Sequence, residues 1–299
     1  MDHPERLAPC GAHEKDSAVG AIAVEAMLYE VSATPKPGLV DRRNCGAHHD
    51  MDFFTFMSSA AALRGAFDDF ARIGAEGAAL PIRSLLPALQ RRGQQAEQEM
   101  FSMTQGVNTH KGMIFSLGML TGAAGWAMAQ NLSMTAKKLC ALTAELCQGQ
   151  VAAAYAHLEQ KSPETLTKGE RMYLRYGVTG VRGEVEGGFP AVRGAALPAY
   201  RELMQKHLPI NDVLTGTLLA LLAVNDDTNI LGRHDMGILR YVQHAAQTAI
   251  AKGGVATEEG KAALLALDDD FIAKWISPGG SADLVAVTHF LYAAEQIHK

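Results

Sequence analysis

Charged and small polar residues gather in five short stretches of this 299-residue chain: 36–52, 106–112, 167–188, 225–235 and 277–283. The first holds Lys36, Asp41, Arg42, Arg43 and Asn44 around Gly38, followed by Cys45, His48 and His49. Ammonium and guanidinium groups match phosphate oxygens and a carboxylate can meet a metal riding on them, so this mixture suits a phosphorylated ligand. The competing reading is a solvated turn after Pro35 and Pro37. Zinc ligation by Cys45, His48 and His49 is disfavoured, because no second Cys/His pair stands at a matching spacing.

The second stretch, Asn108, Thr109, His110 and Lys111, opens onto a long uncharged run. Amides at a helix N-terminus with His110 and Lys111 beside them form an anion site, and a lysine there is unfavourable without an anion nearby. The third stretch places Gly177, Gly180, Gly183, Gly187 and Gly188 around Arg182, Glu184 and Glu186. It matches neither a P-loop nor a dinucleotide fingerprint. It reads as a glycine-rich loop whose backbone, Gly183 included, approaches phosphates, with two carboxylates for metal binding or acid–base work. The fourth runs Asn225, Asp226, Asp227, Thr228, Asn229, with Arg233 and Asp235 beyond. Adjacent carboxylates at the end of an apolar helix are disfavoured by its dipole and by each other, and Mg²⁺, which prefers oxygen ligands, would offset both. The last, Ser277 to Asp283 through Gly279, Gly280 and Ser281, offers a phosphate-facing turn or a helix cap. Residue types alone thus point to a Mg²⁺-dependent enzyme acting on a polyphosphorylated small molecule, without naming the reaction.

The elements that must position these groups are helices. The chain has 48 Ala and 29 Gly, and β-branched residues rarely alternate as strands require. Helical patterns cover 17–31, 53–73, 80–101, 113–129, 135–158, 191–206, 212–224, 236–251, 257–275 and 282–297, the first with Ala21, Val24, Leu28 and Val31 on one face. No repeat or linker divides them, which predicts an all-α fold: a polar tail over 1–15 and one compact helical domain over 16–299.

An apolar content of 48% and a net charge of −5 exclude a disordered chain and give no reason to expect nucleic acid as a partner. Residues 112–136 carry no charge until Lys137 and could span a bilayer by length, but their Gly, Ser, Thr, Gln and Asn content points to a buried core helix. The N-terminus has no signal-peptide pattern, and four scattered cysteines without a CxxC pair imply a reducing cytoplasm.

Taken in order and spacing, residues 36–41 with 44–48, 106–112, 179–186, 227–229 and 277–284 resemble the successive motifs of the triphosphoribosyl-dephospho-coenzyme A synthase family, from about Val24 to the C-terminus. The resemblance implies an all-α enzyme that moves the triphosphoribosyl group of ATP to the 2′-hydroxyl of 3′-dephospho-coenzyme A and releases adenine. The product is the precursor of the citrate lyase prosthetic group, delivered by a separate transferase to that enzyme's acyl carrier subunit. A close relative serves malonate decarboxylase; length and motif form favour the citrate lyase branch.

On that reading the glycosidic bond breaks through an oxocarbenium-like state, with displacement from the opposite face and inversion at the sugar carbon. Glu184 or Glu186 is the expected base. Asp41 also belongs to the catalytic set, and Asp41 and Asp227, with Asp226 ranked below, are expected on Mg²⁺. Lys36, Lys111, Arg182 and Arg233 are phosphate ligands, and Asn44, Asn108 and Asn229 orient sugar hydroxyls. His110, Gly183 and Ser281 complete the binding set. A Mg²⁺-dependent ADP-ribosyl hydrolase or other N-glycosidase, and a nucleotide-binding protein without turnover, are the alternatives.

Overall fold

The computed structural model describes residues 12–297, and among these every regular element is helical. Most of the expected tail therefore lies outside the described residues. Helix α1 spans Ala12–Ser32 and begins before the expected Ser17. Its most buried stripe is Val19, Ile22, Ala23, Ala26 and Met27, one face over from the expected one, although Val24 and Val31 are buried as well.

The expected 53–73 helix divides at Leu63 into α2 (Phe53–Ala62) and α3 (Arg64–Glu76). Asp52 caps α2 by accepting from Thr55 N at 2.8 Å. Helix α4 (Leu86–Met103) leads to α5 (Lys111–Ala129), which is long and apolar enough to cross a membrane yet lies mostly buried among the other helices. Its glycines explain how. A Cβ on Gly125 would stand 2.1 Å from Ala71 O of α3, and one on Gly74 of α3 would stand 2.0 Å from Gly122 O. The two backbones touch where side chains are absent, so much of the glycine enrichment serves helix packing instead of phosphate approach. Phe67 and Phe70 of α3, both fully buried, fill the space beside this contact; truncating such a ring to Ala typically costs about 3–5 kcal/mol.

The expected 135–158 helix breaks at Gly149, φ +87°, into α6 (Ala136–Leu146) and α7 (Gln150–Tyr155). The glycine-rich stretch is not a loop. A capping box between Thr167 and Glu170 starts α8 (Lys168–Tyr176), Gly177 ends it in the left-handed region, and α9 covers Gly180–Glu186. Helix α9 packs on α5, α6 and α7. A π-helical turn, Val192–Ala196, precedes α10 (Leu197–Gln205); α11 (Ile210–Leu222) and α12 (Thr228–Arg233) follow. Helices α13 (Met236–Ala251), α14 (Glu258–Ala273) and α15 (Gly279–Ala294) complete the chain, with α15 packed against α1, α5 and α11.

Candidate active site

A cavity of about 430 Å³ lies where the C-terminal end of α1, the 33–52 loop, and the N-termini of α5, α9, α12 and α15 meet. All five polar stretches of the sequence contribute to its wall. Such a volume is typical of small-molecule sites.

Helix α1 supplies Glu30, which continues the buried stripe of Met27 at the next turn and is itself 2% exposed. Its carboxylate is paired with the Lys36 ammonium, also buried. Burial raises the Glu30 pKa, and the Lys36 charge opposes that rise. Sequence reasoning missed Glu30, although a glutamate in register with core positions of a helix is a visible anomaly. Lys36 does line the cavity, as expected.

Asp41, Arg43 and Asn44 of the same loop do not. Asp41 accepts from the backbone N–H groups of Lys36 (2.9 Å), Arg43 (2.6 Å) and Asn44 (3.1 Å), so its oxygens hold the turn together. Asn44 donates to Asp268 of α14 at 2.8 Å and accepts from Gly46 N; Arg43 reaches the same Asp268 at 3.2 Å. Asp41 and Asn44, expected to contact metal and sugar, are instead the fastenings of the loop, and neither is on the cavity wall. Asp268, which anchors three donors from this loop including Gly38 N, had no distinguishing mark in the sequence.

At the start of α5, Asn108 accepts from Lys111 N at 3.2 Å. Lys111 lines the cavity, but its charge is already met by Glu97 at 2.8 Å, so the protein supplies the anion that the sequence seemed to require from a ligand. His110 is buried outside the lining. Its Nδ1 is 2.8 Å from Ser59 Oγ, and burial followed by the Lys36 charge pushes its pKa down to about 3, leaving a neutral ring in the core. Gly112 has another use: a Cβ there would stand 2.1 Å from an oxygen of Asp283, so any other residue would displace that carboxylate from where it lies. Asp283 in α15 was not among the expected site residues. Burial, then the charges of Glu30 and Asp227, raise its pKa well above the carboxylate range.

Asp227 does not sit at the C-terminal end of α11. It is the N-cap of α12, where the helix dipole favours a carboxylate. One oxygen accepts from Asn229 N (2.8 Å) and Gly280 N (3.3 Å), the other from Ser281 N (2.7 Å) and Ser281 Oγ (2.9 Å). Four donors occupy its acceptor sites, so Asp227 joins the N-termini of α12 and α15 instead of being free for a metal. Ser281 is buried in this junction and also accepts from Asn225 Nδ2 at 3.0 Å; it braces Asp227 and is off the cavity wall. Asp226 lies at the rim, accepting from Gln243 and 3.9 Å from Arg240. Asn229 and Arg233 line the cavity, the latter donating to Ala47 O at 3.0 Å. His48 and Asp50 line it too. No group of three or more potential ligand side chains is arranged to hold a metal ion among the described residues.

The two glutamates of α9 part company. Glu186 accepts from Gly149 N (2.9 Å) and Val151 N (2.6 Å), capping α7, and faces no cavity. Arg182 is exposed on α9 and lines neither chamber. Glu184 lies on the wall shared by the central cavity and a second chamber of about 560 Å³, which Gly183 also lines. Burial pushes the Glu184 carboxyl up to about 7, with the Ala191 N–H, 3.2 Å away, opposing the shift. A side chain of that pKa exchanges protons near neutrality, as an acid–base catalyst must.

The chain is similar to known proteins along nearly its whole length. Residues 16–299 match the CitG family, described as ATP:dephospho-CoA triphosphoribosyl transferase. A probable 2-(5″-triphosphoribosyl)-3′-dephosphocoenzyme-A synthase of Vibrio cholerae serotype O1 is 45% identical over 94% of this chain and 89% of its own length. The 2-(5″-triphosphoribosyl)-3′-dephosphocoenzyme-A synthase of Klebsiella pneumoniae is 43% identical over 96% and 93%. A probable synthase of the same description from Salmonella choleraesuis is 41% identical over 96% and 94%. No solved structure matches the chain.

Proposed function

The chain belongs to the ATP:dephospho-CoA triphosphoribosyl transferase family, and from that premise we propose how its cavity carries out the transfer. The enzyme moves the 5-triphosphoribosyl group of ATP to the 2′-hydroxyl of 3′-dephospho-coenzyme A. The bond between ribose C1 and adenine breaks, a bond from C1 to the acceptor oxygen forms, the acceptor hydroxyl loses a proton, and adenine takes one up as it leaves, so no net proton is released. The triphosphate is carried intact into the product, so its binding can position C1 without being consumed.

The observation that carries the assignment of roles is Glu184, a carboxyl group with a pKa of about 7 on the wall between two chambers. It takes the proton of the acceptor hydroxyl as the new bond forms. Arg233 supplies positive charge around the central cavity and holds the triphosphate together with Lys36 and Lys111, which share their charge between it and their partners Glu30 and Glu97, while Asn108 and Asn229 on the same wall orient the sugar. Displacement by an acceptor opposite the leaving adenine inverts C1.

Magnesium enters as part of the ATP substrate. Mg²⁺ typically keeps several waters and is held by one or two carboxylates together with substrate phosphates. Asp283 fits that requirement: it lines the cavity half-buried, and the charges acting on it, those of Glu30 and Asp227, are both negative. The ion neutralises charge on the triphosphate; Asp227 contributes by fixing the backbone that carries Asp283.

The product serves the citrate lyase branch on this proposal, and a separate transferase attaches it to the acyl carrier subunit. The setting is cytoplasmic, in keeping with Cys45, Cys140 and Cys147 being free thiols. The test is to incubate the protein with ATP and Mg²⁺, with and without 3′-dephospho-coenzyme A, and follow free adenine. Release that requires the acceptor is expected. Release without it makes the protein an N-glycosidase, and ATP binding without release makes it a nucleotide-binding protein.

A further inference from the structure

We propose that the second chamber receives the adenosine end of the acceptor, a neutral purine nucleoside, while the phosphates of both substrates stay in the central cavity. This rests on the transfer proposed above. The first reason is charge. No lysine, arginine or histidine lines the second chamber, whereas Glu184 and Asp226 both do. The cationic side chains Lys36, Lys111 and Arg233 line the central cavity. Arginines stand behind this lining, with Arg240 3.9 Å from Asp226 and Arg175 over the Tyr176 ring, but the charged groups on the wall itself are carboxylates, so the chamber favours an uncharged group over a phosphate.

The second reason is connectivity. In the acceptor, the 2′-hydroxyl sits on the carbon next to the one bearing the base. If Glu184 on the shared wall takes that proton, the base is the part of the acceptor nearest the chamber. The pantetheine arm hangs beyond the diphosphate and could enter only by drawing the diphosphate past Glu184 and Asp226.

The third reason is the lining itself. The ring of Tyr176 and the 51%-exposed Val224 give the chamber apolar surface for a flat base. The Tyr176 hydroxyl is buried without a protein hydrogen-bond partner. Asp226 presents a carboxylate that accepts from an exocyclic amine. A site made this way discriminates strongly against a ligand lacking the matching polar group.

Gly194 allows a direct test. It lines the chamber on the π-helical turn, and a Cβ built there meets nothing within 4 Å. Gly194→Leu therefore fills the chamber from a wall that has room for it, and Val224→Trp fills it from another. ATP affinity is measured by calorimetry without acceptor, KM is measured for 3′-dephospho-coenzyme A, and inhibition by ADP against that acceptor is measured at saturating ATP. Under those conditions ADP stands for the acceptor truncated after its diphosphate. Both variants are expected to raise the acceptor KM and the ADP inhibition constant together, about tenfold or more, with ATP affinity within twofold of wild type.

A rise in the ATP dissociation constant with the acceptor KM unchanged overturns the proposal and assigns the chamber to the base of ATP. A rise in acceptor KM with ADP inhibition unchanged overturns it in favour of the pantetheine arm. ADP that fails to inhibit wild type, variants that leave every constant unchanged, or equal loss of ATP and acceptor binding also overturn it. Absence of acceptor-dependent adenine release in the wild-type protein is a separate result, and sinks the transferase reading itself.

Discussion

The loop over 33–52 and the wall made by α9, α12 and α15 have similar polar composition but opposite fates. In the loop, Asp41, Arg43 and Asn44 are used up by neighbouring amides and by Asp268. Only a few of its side chains, Lys36 and His48 among them, face the cavity. In the wall, Asp227 and Ser281 satisfy each other, and that junction holds Asp283 against open space, while α9 holds Glu184 there. Polar density in a sequence therefore marks where a chain must satisfy many donors and acceptors. Chemistry is left to the few groups whose partners the protein does not provide.

The sharpest way to break this contrast is Glu184→Gln. Removing a general base typically costs about 10²–10⁴-fold in kcat, and that loss is expected here with ATP affinity little changed. Because the base must be ionised, wild-type kcat/KM rises with pH through about 7, and the variant loses that limb. The same group has a stability signature. Its folded pKa is raised from 4.5 to about 7, so the folded state holds the extra proton between those values and stability falls as pH rises through them. Glu184→Gln should thus raise Tm relative to wild type at pH 8 and change it little at pH 4.5 or below. Loss of Tm at both pH values with normal kcat would move Glu184 to the scaffold.

Asp41→Asn tests the other side. Replacing a carboxylate that accepts three backbone N–H groups should cost about 1–3 kcal/mol of stability, read as a lower urea midpoint, while kcat of the folded protein stays within about fivefold. A kcat loss like that of Glu184→Gln at unchanged stability would return Asp41 to the chemistry.

The smallest effect is expected two residues from the largest. Glu186→Gln weakens a cap on α7 and should cost about 1 kcal/mol, with kcat within about twofold of wild type. A large kcat loss there would erase the distinction between the two glutamates.

How far these assignments were legible differs along the chain. The α-helical class followed from Ala content and the rarity of alternating runs; the C-terminal end of α5 and both ends of α13 fall where the helical patterns predict. The glycine-rich stretch misled because glycine density reads as loop. The Thr167 to Glu170 capping box, Gly177 and the packing of α9 on α5, α6 and α7 made it two helices. Asp226 and Asp227 looked alike as neighbours; only the approach of α15 gave Asp227 three of its four donors and left Asp226 at the rim.

By itself the sequence determined an all-helical chain, the five stretches from which the cavity is built, and, through the order and spacing of those motifs, the family. Helix propensity, caps and motif order are local properties, carried by residues a few positions apart. Which carboxylate is left facing space is not local. Glu184 and Glu186 have similar neighbours in the chain, and their difference arises because α7 presents two unpaired amides to one of them, while two chambers border the other. Those partners come from separate helices, so only the tertiary structure could decide between them.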